Sequence, residues 1–219
     1  MPMQKLKIDI VSDVVCPWCI VGFKQLEQAL ANSQVEADIH WHPFELNPAM
    51  PPEGQSLQEH ITEKYGSTPE QSLENRQRLQ ALGNSLDFSF RYSDESRMVN
   101  TFKAHQLLHW AGLQGAEKEH ALKMALFEAY FTDQQDVNDN AVLLACVLVA
   151  ELDANEAQLV LEDARFDTDI RKRQQLWASR DIRGVPAMVF NEKYLVSGAQ
   201  GIENYMSVIK QVQEENSNT

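Results

Sequence analysis

Cys16 and Cys19 are the residues best suited to chemistry in this chain, because two thiols three positions apart can close a disulfide across one helical turn. They enclose Pro17 and Trp18. A strand-like apolar run (Ile8, Ile10, Val11) precedes them, and apolar residues at helical spacing (Val21, Phe23, Leu26, Ala29, Leu30) follow. That context puts Cys16 at a helix N-cap and Pro17 at the first helical position, where a missing N–H costs nothing. First-turn amides and the positive end of the helix dipole then face the Cys16 sulfur and favour thiolate over thiol. A thiolate is the nucleophile of disulfide exchange. The predicted cycle has Cys16, at an exposed helix start, attack a substrate disulfide; Cys19, one turn inward, then resolves the mixed disulfide. Run in reverse, the same steps oxidise a substrate dithiol. Pro17 stiffens the turn, and Trp18 adds apolar surface beside the sulfurs.

Other reactive side chains read less sharply. Cys146 lies in the apolar run Val142–Val149 and reads as a small buried hydrophobe. His40 and His42 share one face of a second strand, opposite Ile39 and Trp41. His42 near the dithiol could take the Cys19 proton, although a polar sheet face explains both histidines more simply. Asp13 and Glu45 are weaker proton acceptors, and Asp13 better suits an ordering role in the strand–helix loop. His105 and His109 have the i, i+4 spacing of metal ligands, but no acidic or cysteine partner lies near them in sequence. Packing is the expectation there. One Cys-x-x-Cys supplies too few ligands for structural zinc, so no metal site is predicted.

Composition narrows the function classes. A chain of 219 residues can build a core without disulfide staples, and 43% hydrophobic with 23% charged residues is ordinary for a soluble globular protein. A net charge of −13 argues against nucleic acid and anionic lipid as partners. With no apolar run long enough to span a bilayer, no membrane association is expected. Met1-Pro2-Met3-Gln4-Lys5-Leu6-Lys7 leads into the first strand without an apolar signal stretch, so cytoplasmic residence is the expectation. In a reducing compartment a Cys-x-x-Cys is redox-active or metal-binding rather than structural.

The elements that must position the dithiol follow from periodicity. Residues 5–12 predict a strand, 17–31 a helix, and 36–44 a second strand through Ala37, Ile39 and Trp41. This βαβ crossover makes the two strands parallel. Loop chemistry over Asn47–Gly54 opens a mainly helical block. Thr68, Pro69 and Gln71 predict a capping box that starts a helix ending near Gly83. Asn100 can cap the helix that follows it, and further helices are predicted over 116–131, 138–152 and 155–164. Leu86, Phe88, Phe90 and Tyr92 predict an extended connector. A helix from Asp167 or Thr168 to about Arg180 precedes Gly184-Val185-Pro186, a hairpin of strands at 187–190 and 194–197, a helix over 201–213 and a polar tail over 214–219.

This order resembles a thioredoxin fold carrying a large helical insertion, and within that fold the DsbA-like superfamily, in particular its FrnE-like cytoplasmic oxidoreductases. The resemblance is carried by Asp13-Val14-Val15-Cys16-Pro17-Trp18-Cys19, Pro43-Phe44-Glu45-Leu46-Asn47-Pro48, Asn100-Thr101-Phe102-Lys103-Ala104-His105, Ala125-Leu126-Phe127-Glu128-Ala129-Tyr130-Phe131, Gly184-Val185-Pro186 and Val196-Ser197-Gly198-Ala199-Gln200, in that order. It implies an α/β class chain: a thioredoxin-like domain from residues 1–50 and 165–219, and an inserted all-helical domain over 51–164. It also implies a cis Val185–Pro186 bond facing the cysteines, with the Val185 backbone available for strand addition by a bound peptide. Cys16, Cys19 and Pro186 are then the catalytic set. Pro17, Trp18, Val185, Asn100 and His42 modulate it or line a substrate groove.

The expected activity is thiol–disulfide exchange with protein or small-molecule disulfides and dithiols. No bound cofactor is expected; a redox recycling partner or glutathione would serve as co-substrate, and the chain would act as a monomer or homodimer. The competing function is a glutathione-dependent transferase or isomerase of the kappa or hydroxychromene-carboxylate type. Those relatives usually carry serine where Cys16 stands. A chaperone-like holdase is the remaining alternative, and it would need no dithiol.

Overall fold

β1, Leu6–Ser12, is buried along nearly its whole length because it is covered on both sheet faces: Leu6, Ile8 and Ile10 face one side, and Asp9 and Val11 face the other. The computed structural model describes residues 5–217 of the chain, so the first four residues of the expected lead-in and the last two of the expected tail lie outside them. After β1 come α1 (Pro17–Ser33) and β2 (Ala37–Pro43), and β2 pairs parallel to β1 from Leu6↔Ala37 to Ser12↔Pro43. Near the other end of the chain, β5 (Ala187–Phe190) pairs antiparallel with β1, and β6 (Tyr194–Ser197) antiparallel with β5. The four-stranded order is β2-β1-β5-β6.

Alternation along these strands assigns the two faces. Trp41 of β2 meets Phe23 of α1, and Phe190 of β5 meets Tyr205 of α9 (Ile202–Ser217). α1 and α9 also pack on each other. On the opposite face, Val11, Ala187 and Val189 form a cluster with Trp177 and Ile182, from α8 (Asp167–Ser179) and the loop after it.

The segment between β2 and α8 begins with β3 (Gln55–Ser56) and α2 (Leu57–Tyr65), then α3 (Pro69–Asn84) and β4 (Arg97–Met98). α4 (Phe102–Gln114), α5 (Ala116–Phe127), α6 (Asn140–Val149) and α7 (Ala154–Asp163) complete it. The capping box of α3 forms as the sequence predicts: Thr68 accepts from the Gln71 amide, and the Gln71 side chain accepts from the Thr68 amide. Leu86–Tyr92 forms no strand, and Phe88, Phe90 and Phe131 pack edge to face there.

Several expectations need correction. The inserted segment is not all-helical, since β3 and β4 pair antiparallel; each is two residues long, too short for any periodicity to announce it. α2 was not anticipated. α5 ends at Phe127 and relaxes into a π-helical turn, Glu128–Thr132, instead of running on to 131. α6 is shorter than the expected 138–152, starting after its N-cap Asp139 and ending at Val149, whereas α7, N-capped by Asp153, keeps the expected length one residue earlier in the chain. α9 continues to Ser217, where a polar tail was expected from 214.

Compactness divides the chain into one unit made of residues 1–44 with 171–219 and another made of 45–170. The sequence reading set these limits at 50 and 165. Backbone contacts place the first junction at the end of β2 and the second inside the continuous helix α8, which carries no break in its sequence to mark it.

Candidate functional site

The turn Asp13–Val15 connects β1 to α1, and the Cys16 amide donates to the Asp13 carbonyl at 3.3 Å. Cys16 is the N-cap of α1 in extended conformation, Pro17 opens the helix, and the Cys19 amide donates to the Cys16 carbonyl at 3.0 Å. No side chain caps this helix end and no acidic residue lies in its first turn. The two cysteines are not joined by a disulfide.

The expected exposure of Cys16 is corrected. Its residue surface is 3% exposed and Cys19 is fully buried, whereas Trp18 is 45% exposed. Part of the reason is a contact from a distant segment: the Cys16 thiol donates to the Val185 carbonyl, with sulfur and oxygen 3.7 Å apart. The Val185–Pro186 peptide is cis. Folding therefore brings Cys16, Cys19, Val185 and Pro186 together across 169 residues of chain.

Other residues, to which the sequence analysis assigned no role, hold Pro186 in place. Gly22 lies in α1, one turn beyond Cys19, and a Cβ there would sit 3.2 Å from Pro186 Cγ, 3.3 Å from Met188 Cε and 3.4 Å from the Tyr205 hydroxyl. The missing side chain lets the proline ring seat against the helix. The Pro186 carbonyl accepts from the Gly198 amide at 2.8 Å, and the Gly198 carbonyl accepts from the Tyr205 hydroxyl at 3.0 Å. Gln25 accepts from the Gly201 amide at 2.9 Å. Tyr205 is wholly buried, and burial pushes its phenol up to about 12, with the Cys19 charge adding to the shift. It therefore stays protonated and serves as a donor beside the buried thiol. Gly22, a glycine inside a helical pattern, is the sequence signal that could have pointed here.

The structure does not bring His42 to the dithiol. Its Nε2 bonds Asp9 Oδ1 at 2.7 Å and its ring lies 4.6 Å from that of Trp177, on the α8 face, whereas the preceding Trp41 faces α1. Burial pushes the His42 pKa down against the pull of Asp9. Burial pushes the Asp9 carboxyl up, but the hydrogen bond and charge of His42 with the charge of Lys7 outweigh it and hold the group below its ordinary value. His42 is then a neutral imidazole donating to a carboxylate. His40 bonds Asp38 at 3.0 Å on the exposed edge.

The remaining expected residues have structural partners. Asp13 is fully buried at the turn, and Glu45 is buried in the inserted unit. Asn100 accepts from the Phe102 amide at 2.9 Å and donates to the Met50 carbonyl at 2.8 Å, so it ties the start of α4 to the loop before β3. His105 is buried, and His109 packs edge-on against Phe166 at 4.8 Å. Among the described residues no three His, Cys, Asp or Glu side chains group as metal ligands. Burial pushes the Cys146 thiol up to about 11, in keeping with a packing role.

The profile of the DSBA-like thioredoxin domain matches residues 7–210. A probable DsbA oxidoreductase from Streptomyces coelicolor is 32% identical in sequence and superposes with a TM-score of 0.88 over 96% of this chain and 91% of its own. YwbO, an uncharacterised protein of Bacillus subtilis, is 24% identical over 94% of this chain and 97% of its own. A 2-hydroxychromene-2-carboxylate isomerase shares the fold at 12% identity, with a TM-score of 0.70 over 97% of this chain and 98% of its own.

Proposed function

Because this chain belongs to the DSBA-like thioredoxin domain family, we propose that it is a thiol–disulfide oxidoreductase acting through Cys16 and Cys19. The contact of the Cys16 thiol with the carbonyl before Pro186 carries this reading, since it sets the reactive sulfur beside backbone able to hold a peptide.

In the proposed cycle Cys16 reacts as the thiolate from the uncapped, acid-free start of α1. Ionisation removes the hydrogen that the thiol gives to Val185, so the same step frees that carbonyl for an incoming peptide N–H. The Cys16 thiolate attacks one sulfur of a substrate disulfide. A mixed disulfide forms and the other substrate sulfur leaves as a thiolate. Cys19 gives its proton to the first departing substrate thiolate, attacks Cys16 and releases the second, which takes from solvent the proton that Cys16 gave up; the protein pair is then oxidised and the substrate reduced by the same two electrons. Pro186 and Val185 align the substrate strand, Pro17 stiffens the turn, and Trp18 supplies an apolar contact surface. Protein or small-molecule disulfides are the proposed substrates, and glutathione or a dithiol partner restores the reduced pair. The proposed setting is the cytoplasm; among the described residues no helix is long and apolar enough to cross a membrane.

Trapping tests this directly. Cys19→Ser should accumulate covalent adducts on Cys16 in cell extract, reversible by dithiothreitol, whereas Cys16→Ser should yield none. Absence of adducts from the first variant would remove the exchange mechanism. The shared fold of the hydroxychromene-carboxylate isomerase keeps a glutathione-dependent isomerase as the second reading. Glutathione binding that survives Cys16→Ser, combined with no reduction of insulin by the wild type, would favour it.

A further inference from the structure

We propose that the site selects disulfides flanked by carboxylates, through Arg180 and Arg183 on the loop that carries Val185. This rests on the exchange function proposed above and adds the substrate class.

The charge of the chain is unevenly divided. Residues 45–170 carry twenty-two acids against nine bases, which accounts for the whole net charge of −13. The unit holding the dithiol carries ten of each and is formally neutral. Within it the bases are concentrated: Arg171, Lys172, Arg173, Arg180 and Arg183 lie between residues 171 and 183, with Asp181 the single acid there. Residues 14–23 and 184–191, which build the thiol turn and the strand after the cis bond, carry no charge. The ionisable side chains bracketing them are Asp13, which is fully buried, Lys24, Glu192, and the pair of arginines with Asp181. Lys24 is engaged by Glu27 at 2.9 Å, and Glu192 pairs with Lys7 at the far turn of the hairpin.

Contact chains tie those arginines to the sulfur. The Arg180 guanidinium lies over the Trp177 ring, 4.9 Å from its centroid. Trp177 belongs to the apolar cluster against which Val185 packs, and the Val185 carbonyl meets the Cys16 sulfur. Arg183 stands two residues before Val185. The two residues before it are held by the end of α8, where the Ile182 amide donates to the Trp177 carbonyl and the Asp181 amide to the Ala178 carbonyl, both at 3.1 Å, with Asp181 left-handed at φ 62°. The Arg183 side chain is 84% exposed and its ion pair with the equally open Asp181 is weak, so the guanidinium can exchange that carboxylate for one on a substrate. Planar guanidinium groups match carboxylates in bidentate geometry. A peptide lying along Val185 with its disulfide at Cys16 would carry its flanking side chains past this loop.

The test uses the reduced full-length protein and three disulfide-bridged peptides that differ only in flanking Asp, Ser or Lys. Bimolecular exchange rates are measured at ionic strengths of about 0.01 M and about 1 M, between which the Debye length falls from roughly 30 Å to 3 Å. The Asp peptide should react about tenfold faster than the Lys peptide at low salt, within the range of electrostatic steering, and the ratio should approach unity at high salt. Arg180→Glu with Arg183→Glu should invert the order, and Arg180→Gln with Arg183→Gln should abolish it; an unchanged far-UV spectrum verifies the fold. Glutathione disulfide, run alongside, shows whether a small anion satisfies the loop or an acidic peptide segment is needed. A Lys peptide as fast as the Asp peptide in the wild type, or a ratio indifferent to both double variants, overturns the proposal. Failure of the Ser peptide to react at all would instead condemn the exchange function, and this inference with it.

Discussion

Two cysteines separated by a single turn and a third far along the chain differ in what their surroundings permit. Cys16 caps α1 and touches a backbone carbonyl; Cys146 sits inside α6, gives its thiol to the Ala125 carbonyl and has its ionisation pushed up to about 11 by burial. Only a thiolate alkylates at a useful rate. Iodoacetamide applied to the reduced native protein at neutral pH should therefore leave Cys146 untouched until denaturant is added, while Cys16, the proposed nucleophile, takes the label. Peptide mapping by mass spectrometry reads the result, and native labelling of Cys146 would show that its burial has been misassigned. Cys16 itself is only slightly open, so labelling that is slow in the resting protein and accelerated by Trp18→Ala would identify the exposed indole as the cover over the sulfur.

At the level of elements, α1 lies so close to Pro186 and β5 that a Cβ at position 22 would crowd Pro186, Met188 and Tyr205 at 3.2–3.4 Å. Gly22→Ala gains about 1 kcal/mol of helix propensity. It also overpacks Pro186, whose ring is rigid and whose carbonyl is held by Gly198, at a cost of about 1–3 kcal/mol. The net expectation is a loss of stability of about 1 kcal/mol, read from the denaturant midpoint, with a slower exchange rate because Pro186 shifts from the thiols. A stabilised Gly22→Ala variant with full activity would mean that the close approach has no role. Tyr205 and Gln25 explain why α9 accompanies α1 in this arrangement: one bonds the loop that holds Pro186, and the other bonds the amide at the start of α9.

Over the whole molecule, buried histidines couple stability to pH. His42 is pushed below its ordinary value of about 6.5 by burial, and His60 likewise. The unfolded chain then binds protons at higher pH than the native one, so stability declines as pH falls below about 6.5. Asp9, held below its ordinary value, extends the decline into the carboxylate range as it too must be protonated on acidification. The urea midpoint should drop between pH 7 and pH 5.5, and His42→Gln should flatten that drop. An equal pH dependence in the variant would place the titrating group elsewhere. The formal charge adds a separate term: repulsion within residues 45–170 predicts that this acidic unit gains stability with salt, independently of the histidine effect.

Much of this protein is encoded over short stretches of chain. The helix cap at Cys16, the βαβ order, the capping box of Thr68 and Gln71 and the hairpin turn at 191–193 all depend on residues within a turn or two of one another, where spacing and backbone preference suffice. Other properties needed contacts between distant residues. The burial of Cys16 involves Val185, the seating of Pro186 involves Gly22 and Gly198, and the pairing of β3 with β4 joins segments some forty residues apart. Alternation already set His42 opposite Trp41, but which helix covers each face was decided by packing, and that packing sent His42 to Trp177 rather than to the thiols. Local preference is additive along a segment and can be read from it. Packing depends on which surfaces exclude water from one another, and no single segment contains both of them.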